Sequence, residues 1–343
     1  MFRLLTVLIV VVASGAQAAI PGKANEQKVT SKKSTSVIHL TTPVENNRKV
    51  TRLRVKTKSK AIQKNTRIAS SIYSPVDRRP NYDLPITYNS KVRFWINYYQ
   101  KGGQSWFKRW MERSYRYLPQ MQAHMKERGI PQDLAFVAMI ESGFSPHAKS
   151  DAEAVGYWQF IKSTASRYGL RINWWLDERR DFTKSTRAAA SYLNDLYKMF
   201  DSWYLTAAAY NMGEGRLRKL IQKYKTDNFW VLSKKRDFPE ETREYIPKLL
   251  AAMLISKSPA LYGFHKMEPK EPYSYEYFSV PGGTDLYSLS KHLKVPLGSL
   301  KKLNPELLHS FIPSFVNSHR IRIPRGTTTK VSQYVRQQMK KRL

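Results

Sequence analysis

Between residues 84 and 264 the apolar positions recur three and four residues apart, which is the spacing of amphipathic helices. Glycine, proline and small polar residues separate the apolar stretches, as expected at helix ends. No stretch of alternating polar and apolar residues interrupts them with the length of a strand. The predicted helices cover residues 90–101, 106–117, 119–128, 131–142, 157–168, 185–200, 203–210, 214–224 and 239–257. The pattern therefore predicts one mainly α domain over residues 84–264.

The pattern changes after this domain. The charged, proline-containing residues 265–274 are predicted to form a linker. In residues 275–325, "YEYFSV" and "RIRIP" have strand composition, while "LYSLSKHL" and "LGSLKKL" have helical spacing. The order predicts a small βααβ domain. Residues 326–343 are basic, and we expect a solvated helix or a disordered tail.

The N-terminal residues differ from both predicted domains. Residues 1–19 combine one arginine, a short apolar stretch and small residues near Ala18, which is the pattern of a cleaved signal peptide. The apolar stretch is too short to cross a bilayer. Residues 20–83 are rich in lysine and arginine, and no aromatic residue lies between Phe2 and Tyr73, which predicts a disordered basic arm. We expect an exported protein, located in the periplasm or cell envelope or secreted.

Composition narrows the function classes. The net charge of +33 favours anionic partners. Because export separates the chain from nucleic acid, we expect the basic segments to bind anionic envelope polymers or membrane; the alternative is that the charge only maintains solubility. The absence of cysteine excludes disulfides, thiolate ligands and a lipidated cysteine. With seven scattered histidines and no His-Glu-x-x-His pattern, no metal or other cofactor is expected.

One carboxylate has an unusual position in the helical pattern. In "LAFVAMIESGFSPHA", Leu134, Val137, Ala138 and Glu141 fall on one helical face, which is otherwise apolar. Both desolvation and the negative end of the helix dipole disfavour the charged form of Glu141. We therefore expect a raised pKa at Glu141, as in a general acid that protonates a leaving oxygen.

Four motifs occur in the order and spacing of a known family. A Glu-Ser pair precedes the turn "GYWQF", then "AAAYNMGEG", and finally a tyrosine within the helical stretch "ETREYIPKLL". This set resembles the soluble-type lytic transglycosylases, which have a lysozyme-like helical fold, and within them the membrane-bound lytic murein transglycosylase D group. The residues that carry the resemblance are Glu141, Ser142, Gln159, Tyr210, Asn211 and Tyr245.

The resemblance implies an enzyme that cleaves peptidoglycan without water. The glutamic acid, here Glu141, would protonate the β-1,4 bond between N-acetylmuramic acid and N-acetylglucosamine. As a carboxylate it would then take the proton of the muramic C6 hydroxyl, which closes a 1,6-anhydro ring. The other motif residues imply substrate contacts: hydrogen bonds to sugar or acetamido groups from Ser142, Gln159 and Asn211, and packing by Tyr210 and Tyr245.

The predicted βααβ domain resembles the LysM glycan-binding module. The turn Gly282-Gly283-Thr284-Asp285 replaces the usual Gly-Asp-Thr, and "LLHSFIPSFVNSH" lengthens the second half. The resemblance implies binding to peptidoglycan glycan strands, although such a domain could also serve only to pack on the catalytic domain. We expect a monomer.

Two other functions are compatible with the same residues. In a hydrolytic muramidase, Asp151 or Glu153, in the loop after Glu141, would position a water molecule. Alternatively, the chain could be a non-catalytic wall-binding protein that has kept the lysozyme-like fold.

Overall fold

The computed structural model describes residues 80–340. The predicted signal peptide, residues 20–79 of the predicted arm, and residues 341–343 lie outside the described residues. Residues 80–83 contact the helical domain, because the Asp83 carboxylate accepts hydrogen bonds from the backbone N–H groups of Gln132 and Asp133.

The predicted mainly α class is confirmed. The helical domain contains nine α-helices, joined by short turns and three short 3₁₀ segments, within the described residues. In order, they are α1 (Ser90–Gln100), α2 (Gln104–Glu127), α3 (Phe136–Ser142), α4 (Lys162–Arg167), α5 (Phe182–Phe200), α6 (Trp203–Met212), α7 (Glu214–Tyr224), α8 (Phe229–Leu232) and α9 (Glu240–Lys257). In residues 80–340 no helix is both long and apolar enough to cross a membrane.

Helix α9 lies at the centre of this domain. Its C-terminal part is apolar on almost every side, from Leu249 to Ile255, as expected for a helix surrounded by others. It packs against α1, α3 and α6. Because α3 and α6 both end near the polar N-terminal half of α9, side chains from three helices meet there.

Several of the predicted helix boundaries are wrong: α3 begins at Phe136 and not at residue 131, and α5 begins at Phe182 and not at residue 185. Residues 106–117 and 119–128 form the single helix α2, which continues through Pro119. Leu118 and Met121 are buried on either side of the proline, so packing maintains a helix that local propensity would break. The predicted helix 157–168 begins only at Lys162, because residues 157–160 form a turn in which Gln159 has a positive φ of 48°.

The predicted βααβ order is also confirmed. Strands β1 (Tyr275–Pro281) and β2 (Ser318–Pro324) pair antiparallel, and between them lie α10 (Leu286–Leu293) and α11 (Leu297–Leu303). A further helix, α12 (Thr328–Lys340), occupies the predicted basic tail. Val331 and Tyr334 of α12 are buried in the core of the small domain, so this segment packs on the domain instead of extending into solvent.

The segment predicted as a linker is bound to α2. The side chain of Glu112, buried in α2, accepts a hydrogen bond from the backbone N–H of Glu268 at 3.1 Å. Arg116 donates to the carbonyl oxygen of Glu271 at 2.7 Å, and its guanidinium lies 4.1 Å from the centre of the Tyr273 ring. These contacts fix the connection between the two domains.

The two domains also contact each other directly. Arg322 of β2 forms buried ion pairs with Asp181, the N-cap of α5, at 2.6 Å and with Glu306 at 2.9 Å. Trp175 and Leu176, from the loop before α5, are part of the small domain's apolar core. Both polar and apolar contacts therefore join the domains.

Candidate active site

Glu141 is the second-last residue of α3. The preceding residues 136–139 are fully buried, whereas Glu141 is partly exposed. The helix ends at Gly143, whose φ of 55° is left-handed and whose missing side chain leaves room for the Trp110 indole. A side chain at position 143 would overlap this ring. The chain therefore turns away directly after Glu141, and the carboxyl group lies at the open end of the helix.

The carboxyl group of Glu141 is held in a partly neutral state. Burial raises its pKa from 4.5 to about 7, assisted by the negative charge of Glu241, while the hydrogen bond from Tyr245 and the charge of Lys248 oppose the increase. A group with this pKa exchanges its proton readily at neutral pH, which is the property of a general acid and base.

Tyr245, on α9, is the closest partner of Glu141. Its hydroxyl donates a hydrogen bond of 2.5 Å to Oε1 of Glu141. Burial and the charge of Glu141 raise the pKa of Tyr245 well above its usual range, so the phenol keeps its proton and remains a donor. Tyr245 therefore fixes the orientation of the Glu141 carboxyl group through Oε1.

The turn predicted from "GYWQF" lies beside the end of α3. Gly156 has a φ of 85°, and a side chain there would overlap the carbonyl oxygen of Arg179. The side-chain amide of Gln159 donates to the carbonyl oxygens of Gly156 at 3.0 Å and Ala148 at 3.2 Å. The amide nitrogen of Gln159 thus stabilises the turn.

Ser142 connects this turn to the helix that carries Glu141. Its hydroxyl donates to the carbonyl oxygen of Tyr157 at 2.8 Å and accepts a hydrogen bond from the backbone N–H of Ser145 at 3.1 Å. Tyr210 contacts the same turn, because its hydroxyl donates to the carbonyl oxygen of Trp158 at 2.7 Å. Both hydroxyl groups therefore bond to the protein backbone.

Asn211, near the end of α6, is bound to α9. Its side-chain amide donates to Oε1 of Glu241 at 3.1 Å, and its side-chain oxygen accepts a hydrogen bond from the hydroxyl of Thr242 at 2.5 Å. The structure thus brings Glu141 and Tyr245 into direct contact, while Ser142, Gln159, Tyr210 and Asn211 hold the adjoining segments together.

Two further charged residues, Glu241 and Lys248, lie beside Glu141 and are not among the residues that carry the family resemblance. They lie four residues before and three after Tyr245 on α9, and this spacing places all three on one helical face. Burial raises the pKa of Glu241 and lowers that of Lys248. Lys248 also lies 4.6 Å from the centre of the Trp95 ring. The helical spacing from Tyr245 was the available signal.

The two carboxylates predicted for a hydrolytic enzyme lie elsewhere. Asp151 and Glu153 are both exposed in the loop after α3. Glu153 forms a surface ion pair with Lys149 at 2.7 Å. Among the described residues, the carboxylate whose charge acts on Glu141 is Glu241.

Comparison with known proteins confirms the predicted resemblance. Residues 119–233 match the family model of the transglycosylase SLT domain, and residues 275–339 match that of the lytic transglycosylase MltD, LysM-like domain. The second match includes most of helix α12.

Relatives match parts of the chain. Membrane-bound lytic murein transglycosylase D of Escherichia coli K12 is 43% identical over 152 residues, which are 43% of this chain and 33% of that protein. Peptidoglycan transglycosylase gp16 of Escherichia phage T7 is 39% identical over 135 residues, or 38% of this chain and 10% of that protein. The 70-kDa soluble lytic transglycosylase of Escherichia coli has 20% identity and a TM-score of 0.36, over 54% of this chain and 34% of that one.

The matched region thus spans about a third or less of the length of these relatives. The two family models cover most of both domains of the structure. The chain therefore contains a region that matches the transglycosylase SLT domain, followed by a region that matches the LysM-like domain of lytic transglycosylase MltD.

Proposed function

We propose that the protein is a lytic transglycosylase that cleaves the β-1,4 bond between N-acetylmuramic acid and N-acetylglucosamine in peptidoglycan. The observation that carries the proposal is the state of Glu141, whose pKa is raised to about 7 and whose Oε1 accepts a hydrogen bond from Tyr245. The names of the relatives and the match to the SLT domain support the substrate class.

In the proposed reaction, Glu141 acts twice. In its protonated form it gives its proton to the glycosidic oxygen, and the bond from the muramic C1 breaks with its electron pair on that oxygen. The carboxylate then takes the proton of the C6 hydroxyl, whose oxygen forms the new bond to C1. Glu141 ends protonated, the product carries a 1,6-anhydro ring, and no water is consumed. A single group can serve both steps because its pKa is near neutral pH.

The other motif residues divide into two roles. Tyr245 positions Glu141 through its hydrogen bond to Oε1. Ser142 and Tyr210 act through the turn at residues 156–160, because their hydroxyl groups bond to its backbone. We assign to them the positioning of the segments around Glu141 and not direct bonds to sugar. The amide nitrogens of Gln159 and Asn211 are likewise bonded within the protein.

A hydrolytic muramidase is the second candidate. It requires a carboxylate that activates water, and Glu241, through its effect on the pKa of Glu141, fits this role better than Asp151 or Glu153. Its Oε1, however, accepts the hydrogen bond from Asn211, so only Oε2 would be left for a water.

The proposed substrate also indicates where the protein works and what it binds. An enzyme acting on peptidoglycan works in the periplasm or cell envelope, in agreement with the predicted signal peptide at residues 1–19. We propose a monomer whose LysM-like domain and basic segments contact glycan strands, anionic envelope polymers or membrane.

The activity of Glu141→Gln tests the assignment. Glutamine has the shape of glutamate but no proton to transfer, so release of soluble fragments from purified peptidoglycan should fall at least about a hundredfold. Glu153→Gln is the matched control in the exposed loop and should retain the wild-type rate. Similar rates for Glu141→Gln and the control would exclude Glu141 as the acid.

A further inference from the structure

A large cleft lies between the two domains, apart from the contacts made by Glu141. Its volume is about 520 Å³. One wall comes from the helical domain, around the loop at 171–175 and the first turns of α5, and the other from β1, β2 and the segment that precedes β2. Neither domain alone would form this cleft.

Four cationic side chains line the cleft, against two acidic ones. The cationic residues are Arg171, Lys184, Arg187 and Arg320. Arg171 and Lys184 share the carboxylate of Glu178, at 2.8 Å and 2.5 Å. In residues 80–340, no carboxylate lies within ion-pair distance of Arg187 or Arg320.

The carboxylates of the cleft do not balance this charge. Asp181 and Glu306 line the cleft, but both are paired with the buried Arg322. His319 also lines it, and burial together with the positive charges of Lys184 and Arg171 lowers the pKa of its imidazole to about 4. The cleft is therefore suited to an anionic group, and arginine forms strong paired hydrogen bonds with carboxylates.

An exposed aromatic cluster adjoins the cleft. Trp174 comes from the helical domain, whereas His309, Phe311 and Phe315 come from the extra residues of the LysM-like domain. The ring centres of Trp174 and Phe311 are 6.1 Å apart, and those of Trp174 and Phe315 are 6.4 Å apart. Trp174 is 55% exposed and Phe315, which also lines the cleft, is 69% exposed. Exposed apolar clusters of this kind mark interaction sites.

We propose that this interdomain cleft binds a carboxylate-bearing peptide of the peptidoglycan, while the aromatic cluster contacts the glycan strand beside it. The proposal rests on the proposed function for its choice of polymer. A flat anionic membrane is the less suitable partner, because the unpaired cations line a concave cleft that a bilayer surface cannot fill. Residues 307–319 and Trp174 together give the two domains a shared substrate surface. This surface is separate from the carboxyl group of Glu141.

Equilibrium binding of the full chain to immobilised probes tests the charged part of this site. The probes are surface-attached peptidoglycan fragments, the same attached glycan after amidase removal of its peptides, and attached vesicles of phosphatidylglycerol and phosphatidylcholine. Wild type should bind the peptide-bearing wall about tenfold more tightly than the stripped glycan. Arg187→Glu with Arg320→Glu should abolish this preference, because attraction becomes repulsion at two positions.

The matched control is Arg109→Glu with Lys330→Glu, which reverses one exposed charge in each domain outside the cleft. It should keep the tenfold preference. Equal binding of wild type to both glycans would overturn the proposal, as would equal losses in the two double variants. Vesicle binding that depends on Arg187 and Arg320, with wall binding unaffected, would also overturn it in favour of a membrane site.

A substitution at Phe315 tests the aromatic cluster. Phe315→Ser should weaken binding to the stripped glycan about fivefold or more, whereas Leu261→Ser, which removes a side chain that is 83% exposed elsewhere, should not. Wild-type binding by Phe315→Ser would remove the aromatic cluster from the proposal. Binding and cleavage are separate measurements: a chain that shows this binding pattern but releases no fragments would retain the cleft and lose the proposed activity.

Discussion

Glu141→Gln should stabilise the folded protein, and the gain should depend on pH. The wild-type carboxyl group lies in a site that disfavours its charge, which raises its pKa from 4.5 to about 7. Glutamine has nearly the same shape, can still accept the hydrogen bond from Tyr245 through its amide oxygen, and never becomes charged. The substitution therefore removes the cost of ionising this position in the folded state.

The size of the stability gain follows from the pKa values of Glu141 in the unfolded and folded states. A difference of one pKa unit corresponds to about 1.4 kcal/mol, so the change from 4.5 to about 7 amounts to about 3 kcal/mol. Because Glu141 is partly exposed, solvent screening makes this an upper limit.

The direction of this pH dependence follows from the number of protons that the folded and unfolded states bind. Between pH 4.5 and 7 the folded protein keeps the proton of Glu141, whereas the unfolded chain has released it. The folded state then binds more protons, so the free energy of unfolding contributed by this group falls as pH rises. The difference between variant and wild type should be smallest below pH 4.5, grow from 4.5 to 7, and become constant above about pH 8.

Urea unfolding of both proteins at a series of pH values measures this difference. Other groups with raised pKa values, such as Asp133 and Glu306, are present in both proteins and cancel in the comparison. Glu153→Gln, at an exposed surface pair, should change the free energy of unfolding by less than about 1 kcal/mol throughout. A difference for Glu141→Gln that stays constant from pH 4 to 9 would refute a raised pKa at Glu141.

Substitutions at Tyr245, Gly143 and Arg322 should change the cleavage rate or the free energy of unfolding. Tyr245→Phe should lower the cleavage rate about tenfold and move the alkaline limb of the pH–rate profile upward, because the lost hydrogen bond normally lowers the pKa of Glu141; an unmoved limb would contradict this. Gly143→Ala should lower the free energy of unfolding by at least about 2 kcal/mol in urea, since its φ is positive and Trp110 fills the space; a near-neutral result would be inconsistent with this packing. Arg322→Met should cost about 3 kcal/mol by the same measurement, because it leaves two buried carboxylates unpaired, and an unchanged stability would argue against the buried ion pairs of Arg322.

The sequence predicted the elements that depend on local pattern. Helical spacing placed Glu141 at the end of an apolar face, and the strand composition of "YEYFSV" and "RIRIP" predicted the two strands. Pro119 shows the limit of such reasoning. Local propensity predicts a break at a proline, but the buried side chains on both sides keep α2 continuous.

Features formed by distant segments could not be predicted in this way. Tyr245 was identified by the family motif, but its bond to Glu141 depends on how α9 crosses α3. The family resemblance predicts a sugar contact for Ser142. Sequence does not show that the carbonyl oxygen of Tyr157 lies within reach of its hydroxyl. The interdomain cleft depends on the position of β2 relative to α5, which no local pattern specifies.

The most direct test of the central claim is the product of cleavage in water enriched in ¹⁸O. Purified peptidoglycan is digested with the full chain, and the released muropeptides are analysed by mass spectrometry. If the C6 hydroxyl attacks C1, the new ends are 1,6-anhydro-N-acetylmuramic acid and contain no ¹⁸O from the solvent. Reducing ends that carry ¹⁸O would contradict the account and identify the protein as a hydrolase.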